Sequence, residues 1–557
     1  MQAEFICLIG PGDSCKTTVL TALDYALSPR TALALDDSDF FEQNVDSDIV
    51  IQVTLSDWDE RAPDVKQLFQ ESKFAQYKCG LALTGPVPEP LPDGPSALSV
   101  SLRVDRSLEP KWFVVKGRDE VGDEERKPIY AADRAVIGLS SLEAASDTHF
   151  AWGRNTLLTR LSADKKGNLN AVLATLSREM RQTDISGHAS IAECQSIADL
   201  IKSEAQGVGV PLANLSPKID VQRQSMSGGA MSLHEGTIPL RSKGTGTKRL
   251  VATAMQMKLH GGKNISVIDE IEVGLEPHRI RGLLFNLKKS QQQVFATTHS
   301  PVVLRELTVE ANELHICKRD GAGHVTVLNL SFVPGIQGNV RANAEAFLGS
   351  KIIACEGPTE IGCLRAYDVF RLDRNNPPVW TLSTAYFNAG GGSRVKETAP
   401  KLKSLGYAVA AFADNDAKDQ LSAADVEVLR TSDIAVFQWD EGNSTEHQLF
   451  ADIPWKNVPE LLRRICSQHD TLELATVTDS VIKDKRAVTL NLGAKSEDWS
   501  ESLILRKTLG SLAHEGKWIK RIDYAEKAFE FALPLLTDNT PMKVQLAMLW
   551  SWMQRGE

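Results

Sequence analysis

No two of the eight cysteines form a CxxC pair, and none joins a histidine at zinc-binding spacing. That sets aside a disulfide-stapled scaffold and a structural zinc site, and scattered thiols suit a reducing cytosol. No apolar run approaches the roughly 20 residues needed to span a bilayer. No signal peptide precedes the first apolar run, so the expectation is a soluble, cytoplasmic protein with no membrane partner. Positive charge is in short supply as well: 62 Lys and Arg face 72 Asp and Glu, a formal charge of -10. Coating nucleic acid by bulk attraction is thereby excluded, and any DNA contact needs a local basic surface. Internal repeats and low-complexity segments are also missing.

What is present is length and pattern. A chain of 557 residues holds two to four domains, each large enough for its own core. "EFICLIG" is an apolar run that leads straight into a glycine-rich stretch and reads as a buried strand. "KTTVLTALDYAL" follows as a helix, with Pro29 as its stop. "DIVIQVTLSD" alternates like a second strand, and "TGPVPEPLPDGPSA" reads as a loop rich in Pro and Gly. From about 139 to 215 the pattern turns helical, which predicts a helical insertion offering surface for dimerisation. "NISVIDEIEVGLEP", "QQVFATTHSP", "SKIIACEGPTE" and "YAVAAFADNDA" each read as a buried strand ending in polar residues. From Trp455 onward the pattern is helical, with basic clusters at Arg463-Arg464, Lys483 to Arg486 and Lys517 to Arg521.

A phosphate-binding loop, GxxxxGK[ST], works because successive backbone N–H groups and a helix N-terminus point at the phosphates. Gly10, Lys16 and Thr17 fit that pattern, and Gly12, Ser14 and Thr18 complete the cradle. Cys15 stands where the second glycine belongs. Cysteine is small, and backbone angles near the helical region would admit it, so ATP binding is expected to persist with slow hydrolysis. Asp269 and Glu270 close an apolar strand, the arrangement that sets a Mg²⁺-holding carboxylate beside a water-activating one. His299 ends another buried strand, where it can sense a γ-phosphate. Ser242 and Gly244, in "LRSKGTGTKRL", lie in a turn before a helix. This resembles the signature segment of ABC-type ATPases, which caps the ATP of the opposite subunit. The resemblance implies an ABC/SMC-type P-loop head over 1–340, binding ATP with Mg²⁺ and forming a homodimer or higher homo-oligomer.

A second constellation follows. Glu356 falls at the carboxyl end of an apolar strand, where open α/β sheets place their ligands, and Glu360 lies one helical turn deeper. Asp414 and Asp416 are spaced by two at the end of another strand, so their carboxylates project to one face. Four carboxylates together repel one another unless divalent cations neutralise them, and Mg²⁺ or Mn²⁺ with oxygen ligands is the natural occupant.

"EGPTE" followed by "DND" resembles the Toprim fold of topoisomerases, primases and certain nucleases. An ABC-type head followed by Toprim resembles the OLD (overcoming lysogenization defect) family of ATP-dependent endonucleases, which includes the nuclease subunit of Gabija defence systems. The resemblance runs from Phe5 to about Phe450 and implies an α/β chain. Its parts would be the head, a Toprim domain over 345–454, and a helical region over 455–557 that completes the nuclease site. It further implies two bound metals, DNA as substrate, a role in defence against phage, and a helicase-like partner or a reverse transcriptase with its RNA. In that family a further acid and a C-terminal lysine assist. Glu446 in "GNSTEHQLF" matches the acid, although Asn443 and Glu446 equally suit a helix N-cap and its capping partner. For the lysine, "HEGKWIKRID" offers Lys517 and Lys520, with Lys517 preferred. The competing reading is an SMC/RecF-like DNA-repair ATPase that binds DNA without cutting it. A topoisomerase is weaker, since none of the seven tyrosines sits in a recognisable nucleophile setting.

Overall fold

The structure is a computed structural model. It describes residues 5–56, 73–82, 85–92, 94–118, 126–142, 147–152, 156–161, 189–207, 231–258, 265–290, 292–416, 421–469 and 471–555, with isolated positions elsewhere between 175 and 217. Most of "LNAVLATLSREMRQ", at the heart of the expected helical insertion, lies outside these residues. The chain divides into two units, one of residues 1–19 with 297–557, the other of residues 20–296.

The unit of 20–296 carries an antiparallel sheet. Ile49–Ser56 and Pro110–Val115 flank Ser96–Val104, whose residues from Ala97 to Leu102 are all fully buried. The same unit holds a parallel group in which Ile265–Ile268 pairs with Leu139–Leu142 on one side and with Gln293–Thr297 on the other. Leu139–Leu142 is therefore a strand, and the helical pattern expected from residue 139 does not begin there. "LSSL" is too short and too buried to turn as an amphipathic helix, with Leu139, Ser140 and Leu142 all packed inside. Further on, Leu157–Leu161 and Ala189–Gly207 are helices.

In the other unit Phe5–Ile9 is a buried strand, parallel to Leu314–Arg319, which pairs antiparallel with Val325–Asn329. A separate four-stranded parallel sheet follows, in the order Thr384–Asn388, Lys351–Cys355, Ala408–Ala413, Ala435–Gln438. Its two central strands, "KIIAC" and "AVAAFA", read as near-continuous apolar runs because helices cover both faces. The chain leaves Lys351–Cys355 toward one side and returns on the other. The topological switch point thus lies between the two central strands, the crevice where parallel sheets bind ligands.

One hydrophobic core runs from Ile353 to Met553 and takes in Phe412, Leu449, Leu509, Trp518, Phe529 and Trp550. The division expected at 454/455 falls inside that core, not at a gap in packing. Helices Thr445–Asp452 and Leu503–Glu515 approach closely at Gly510, where an added Cβ would lie 2.7 Å from the His447 Cα. Only glycine permits that separation.

Candidate functional site

The phosphate loop and its helix are formed, with Lys16–Leu27 starting at the loop's end. Gly10 has φ 141°, and a Cβ there would sit 2.5 Å from the Cys317 carbonyl oxygen, so this position is closed to other residues. Cys15 has φ 63°, in the left-handed region. The expectation that the backbone there is near-helical is therefore corrected. The pattern calls for glycine at this position because the backbone turns left-handed, and cysteine occupies it at a strain of roughly 1–3 kcal/mol. Lys16 is buried and folds back into its own loop, donating to the carbonyls of Gly10 at 3.1 Å and Pro11 at 2.6 Å and to Ser14 Oγ at 3.2 Å. Gly12, Thr17 and Thr18 are exposed at the helix start. In the same unit His299 is exposed just past Gln293–Thr297, and Thr298 N–H donates to the Leu8 carbonyl at 3.3 Å.

Within the other unit, Asp269 and Glu270 follow the Ile265–Ile268 strand as expected, with Glu270 at φ 46°. Ser242 and Gly244 are exposed immediately before the Thr245–Lys258 helix. That helix packs onto the Asp269–Gly274 turn so tightly that a Cβ on Gly246 would stand 2.0 Å from the Gly274 carbonyl oxygen. Arg249, which the sequence reading passed over, pins the turn from below. Its guanidinium is buried and donates to the carbonyls of Asp269 and Glu270. Burial lowers its pKa, opposed by the nearby charge of Asp269. An arginine in "TKRLVATAMQ" has no local signature that distinguishes it from a solvated helix position.

The carboxylates converge in the Ile353–Met553 unit. Glu356 and Asp414 cap the two central strands, and the Asp414 N–H donates to Glu356 Oε2 at 3.1 Å. Glu360, in the first turn of Pro358–Leu372, is 2% exposed and accepts from the Gly357 N–H at 2.7 Å. Asp416 lies at the surface, with its Oδ2 3.9 Å from His514 Nε2. Glu446 is fully buried in the first turn of Thr445–Asp452. The N-cap of that helix is Ser444, which accepts from the His447 N–H, so the alternative of Asn443 as cap does not hold. Glu446 Oε2 accepts from Ser444 Oγ at 2.9 Å and faces His514 Nδ1 at 3.2 Å. Its Oε1 is buried, accepts no hydrogen bond, and has Lys520 Nζ at 3.4 Å.

The two lysines are placed differently. Lys520 reaches Glu446, whereas Lys517 is exposed at φ 55° in the turn after Leu503–Glu515, contrary to the preference drawn from the sequence. Trp518 and Ile519, both buried, anchor the turn, and the Ile519 carbonyl accepts from Thr359 Oγ1 at 3.3 Å. That anchoring turns Lys520 inward and Lys517 outward.

Thr445 Oγ1 sits 2.6 Å from Glu360 Oε1 and 2.7 Å from Asp414 Oδ1. A hydroxyl has one proton and satisfies only one of two carboxylates. The second contact requires a protonated carboxyl or a cation. Titration follows the same logic. Burial, reinforced by the Glu356 charge, pushes Glu360 up to about 7. Asp414 rises well above the usual carboxylate range through burial and then the charges of Glu360, Glu356 and Glu446. Burial, with the Asp416 charge, raises Glu356 too. Glu446 goes the other way, to about 2: burial opposes its ionisation, but the His514 hydrogen bond and the Lys520 charge outweigh it. An oxygen-rich cluster that cannot ionise fully by itself, with a buried Glu446 oxygen that accepts no hydrogen bond, fits a hard divalent cation.

Several cations of the basic clusters sit in ion pairs. Arg463 pairs with Glu460 and Glu497, Arg464 with Glu460, Lys483 with Asp479, Arg486 with Asp484 and Glu515, and Arg521 with Asp523. Acids one helical turn away or across a loop neutralise each of them. No helix among the described residues is long and apolar enough to cross a membrane.

A family model described as "AAA domain, putative AbiEii toxin, Type IV TA system" matches residues 5–305, more than half of the chain. No curated protein matches the chain. Solved structures similar to it include the SmcHead bound to the C-winged helix domain of ScpA, at 13% identity over 59% of this chain and 92% of that one, with a TM-score of 0.31. The SMC head domain from Thermotoga maritima is 10% identical over 58% of this chain and 90% of that one, with a TM-score of 0.24. Stu0660 of Streptococcus thermophilus is 10% identical over 62% and 81% respectively, with a TM-score of 0.27.

Proposed function

From the premise that the chain belongs to this AAA-domain family of ATPases, we propose that its nucleotide-binding head governs a divalent-metal-dependent DNA-cleaving centre of the Toprim type. The observation that carries this reading is the meeting of Glu356, Glu360, Asp414, Asp416, Glu446 and Lys520 at a sheet switch point, although they are scattered over about 160 residues. Glu356, Glu360, Asp414, Asp416 and Glu446 would hold Mg²⁺ or Mn²⁺. When bound, the metal supplies an activated water and stabilises the leaving oxygen of the phosphodiester. The protein's own contribution is charge and position. Lys520, kept protonated by Glu446, Asp414 and Glu360 against the penalty of burial, offsets the negative charge growing on the phosphate. Thr445 fixes the spacing of Glu360 and Asp414.

This reading divides the chain into an ATPase head over 1–340 and an OLD-type cutting unit from 345 onward, completed by the helices after 455. In the head, the exposed Ser242–Gly244 turn would cap ATP on a second copy, making a homodimer or larger homo-oligomer. A place in defence against phage, beside a helicase-like or reverse-transcriptase partner, rests on the OLD resemblance. The test is supercoiled plasmid with Mg²⁺ or Mn²⁺, with and without ATP. Nicking by the wild type that disappears in Asp414→Asn supports the reading. A wild type that hydrolyses ATP but leaves the plasmid intact would replace it with a DNA-binding ATPase of the SMC/RecF kind.

A further inference from the structure

Neither the EGPTE and DND motifs nor the family model assigns a role to His514. We propose that His514 is a nitrogen ligand to a metal held with Asp414 and Asp416, giving a mixed nitrogen–oxygen site that favours Mn²⁺ over Mg²⁺. The inference rests on the reading of the carboxylate cluster as a metal centre and adds a ligand and a selectivity to it.

The geometry is that of a ligand set. One ligand atom each from Asp414, Asp416 and His514 lies within 4.8 Å of the other two, close enough for a single ion to bridge them. Both hydrogen bonds to the Asp414 carboxylate, from Thr445 N–H at 2.8 Å and Thr445 Oγ1 at 2.7 Å, fall on Oδ1. Asp416 is at the surface, and its Oδ2 faces His514 Nε2.

The second nitrogen of His514 supplies the independent argument. Nδ1 faces Glu446 Oε2 at 3.2 Å, and Glu446 is fully buried. A carboxylate that accepts the Nδ1 proton fixes the imidazole tautomer, leaving the Nε2 lone pair on the side of Asp416. Metal-binding histidines are oriented by such carboxylates. Glu446 is placed for this by Ser444 Oγ, which donates to the same Oε2. Ser444 is in turn 2.8 Å from His447 Nδ1, and His447 Nε2 is 3.0 Å from Ser511 Oγ. The chain of contacts therefore starts and ends on the Leu503–Glu515 helix, which also carries His514 near its C-terminal end. Gly510 lets that helix approach closely enough for the histidine to reach Glu446.

Nitrogen changes which ion is preferred. Mg²⁺ takes oxygen ligands in a strict octahedron and gains little from imidazole, whereas first-row transition ions accept it readily. A centre of aspartates alone would discriminate weakly between Mg²⁺ and Mn²⁺. With His514 it should bind Mn²⁺ more tightly.

The experiment uses the full chain without nucleotide, titrated with Mn²⁺ and read by electron spin-echo spectroscopy and by calorimetry. Wild type should show a ¹⁴N coupling from directly bound imidazole. His514→Gln keeps a donor toward Glu446 but offers no ring nitrogen, so it should bind Mn²⁺ about 10–100-fold more weakly and lose the coupling. Its Mg²⁺ affinity should change much less. Asp414→Asn should lose both binding and coupling, and circular dichroism checks that each variant is folded. Mn²⁺ bound by wild type with no ¹⁴N coupling, or with a coupling that survives in His514→Gln, overturns the role of His514 and leaves the carboxylate centre standing. Wild type that binds no Mn²⁺, or binds it as well after Asp414→Asn, overturns the metal centre itself.

Discussion

The phosphate loop and the carboxylate cluster are built on opposite plans. The loop is local: nine consecutive residues from Gly10 to Thr18 supply it, and it closes on itself, Lys16 hydrogen-bonded to its own Gly10 and Pro11 carbonyls. The cluster is remote in sequence, drawing on two strand ends, three helices and a turn between Glu356 and Lys520. A local motif declares its residues but not its state, since nothing in "GPGDSCKTT" reveals a lysine folded inward. A remote cluster hides its members, but its assembled electrostatics reveal its state. Three acids carry raised pKa values in one crevice, a standing repulsion that a cation relieves.

The sharpest way to break this comparison is to separate the two activities. Asp414→Asn and Glu360→Gln should abolish plasmid cleavage while ATP binding by calorimetry stays within about twofold of wild type, because the substitutions alter no phosphate-loop residue. Cleavage by both variants at the wild-type rate would remove the cluster from the chemistry. Next in size, Lys520→Ala should reduce the cleavage rate by about 10²–10³-fold, the usual cost of one charge-stabilising donor. Lys517→Ala, on the outer side of the same turn, should change it less than about twofold. A reversed order would show that the turn is built the other way round.

A third test concerns the metal-free state. Glu360 has a folded pKa of about 7 against an ordinary 4.5, so it favours folding below about 4.5, and that contribution is lost as pH rises through about 7. Asp414 and Glu356 act in the same direction, and so does His514, whose pKa the Glu446 hydrogen bond raises. Glu446, at about 2 against an ordinary 4.5, has the opposite sign, but the stability it adds is gained as pH rises toward about 4.5, below this window. The melting temperature in EDTA should therefore fall between about pH 4.5 and 7, and saturating Mn²⁺ should cancel the fall. A flat profile in EDTA would mean the cluster is not under repulsion.

The smallest effect belongs to the loop. Cys15→Gly should relieve left-handed strain worth roughly 1–3 kcal/mol and tighten ATP binding in calorimetry. No change in affinity would show that the folded-back Lys16, not the backbone at Cys15, limits the site.

Much of this was legible in advance, and the failures have physical reasons. The strands ending in Glu356 and Asp414 announced themselves because "IIAC" and "AVAAFA" are apolar on both faces. The short strand Leu139–Leu142 did not, since four residues do not establish a period. Lys517 and Lys520 lie in one exposed-looking motif, and only the buried Trp518 and Ile519 decide which points inward. The ion pairs within the basic clusters were hidden as well, because composition counts charges and does not see the glutamates and aspartates folded against them. His514 was invisible for the same reason as Arg249: its meaning comes from what lies across the fold, not beside it in the chain.

The unbroken core from Ile353 to Met553 also has a consequence in time. A ribosome adds roughly 5–20 residues per second. Once Glu356 has been made, about 160 further residues must follow before Lys520 exists, an interval of roughly 10–30 s. During that interval the nascent chain holds the acids without the lysine or the histidine, and without the helices that close the crevice around them. The phosphate loop is finished far earlier. Synthesis alone thus imposes an order in which the head's loop is complete long before the carboxylate centre, and an interrupted message yields the first without the second.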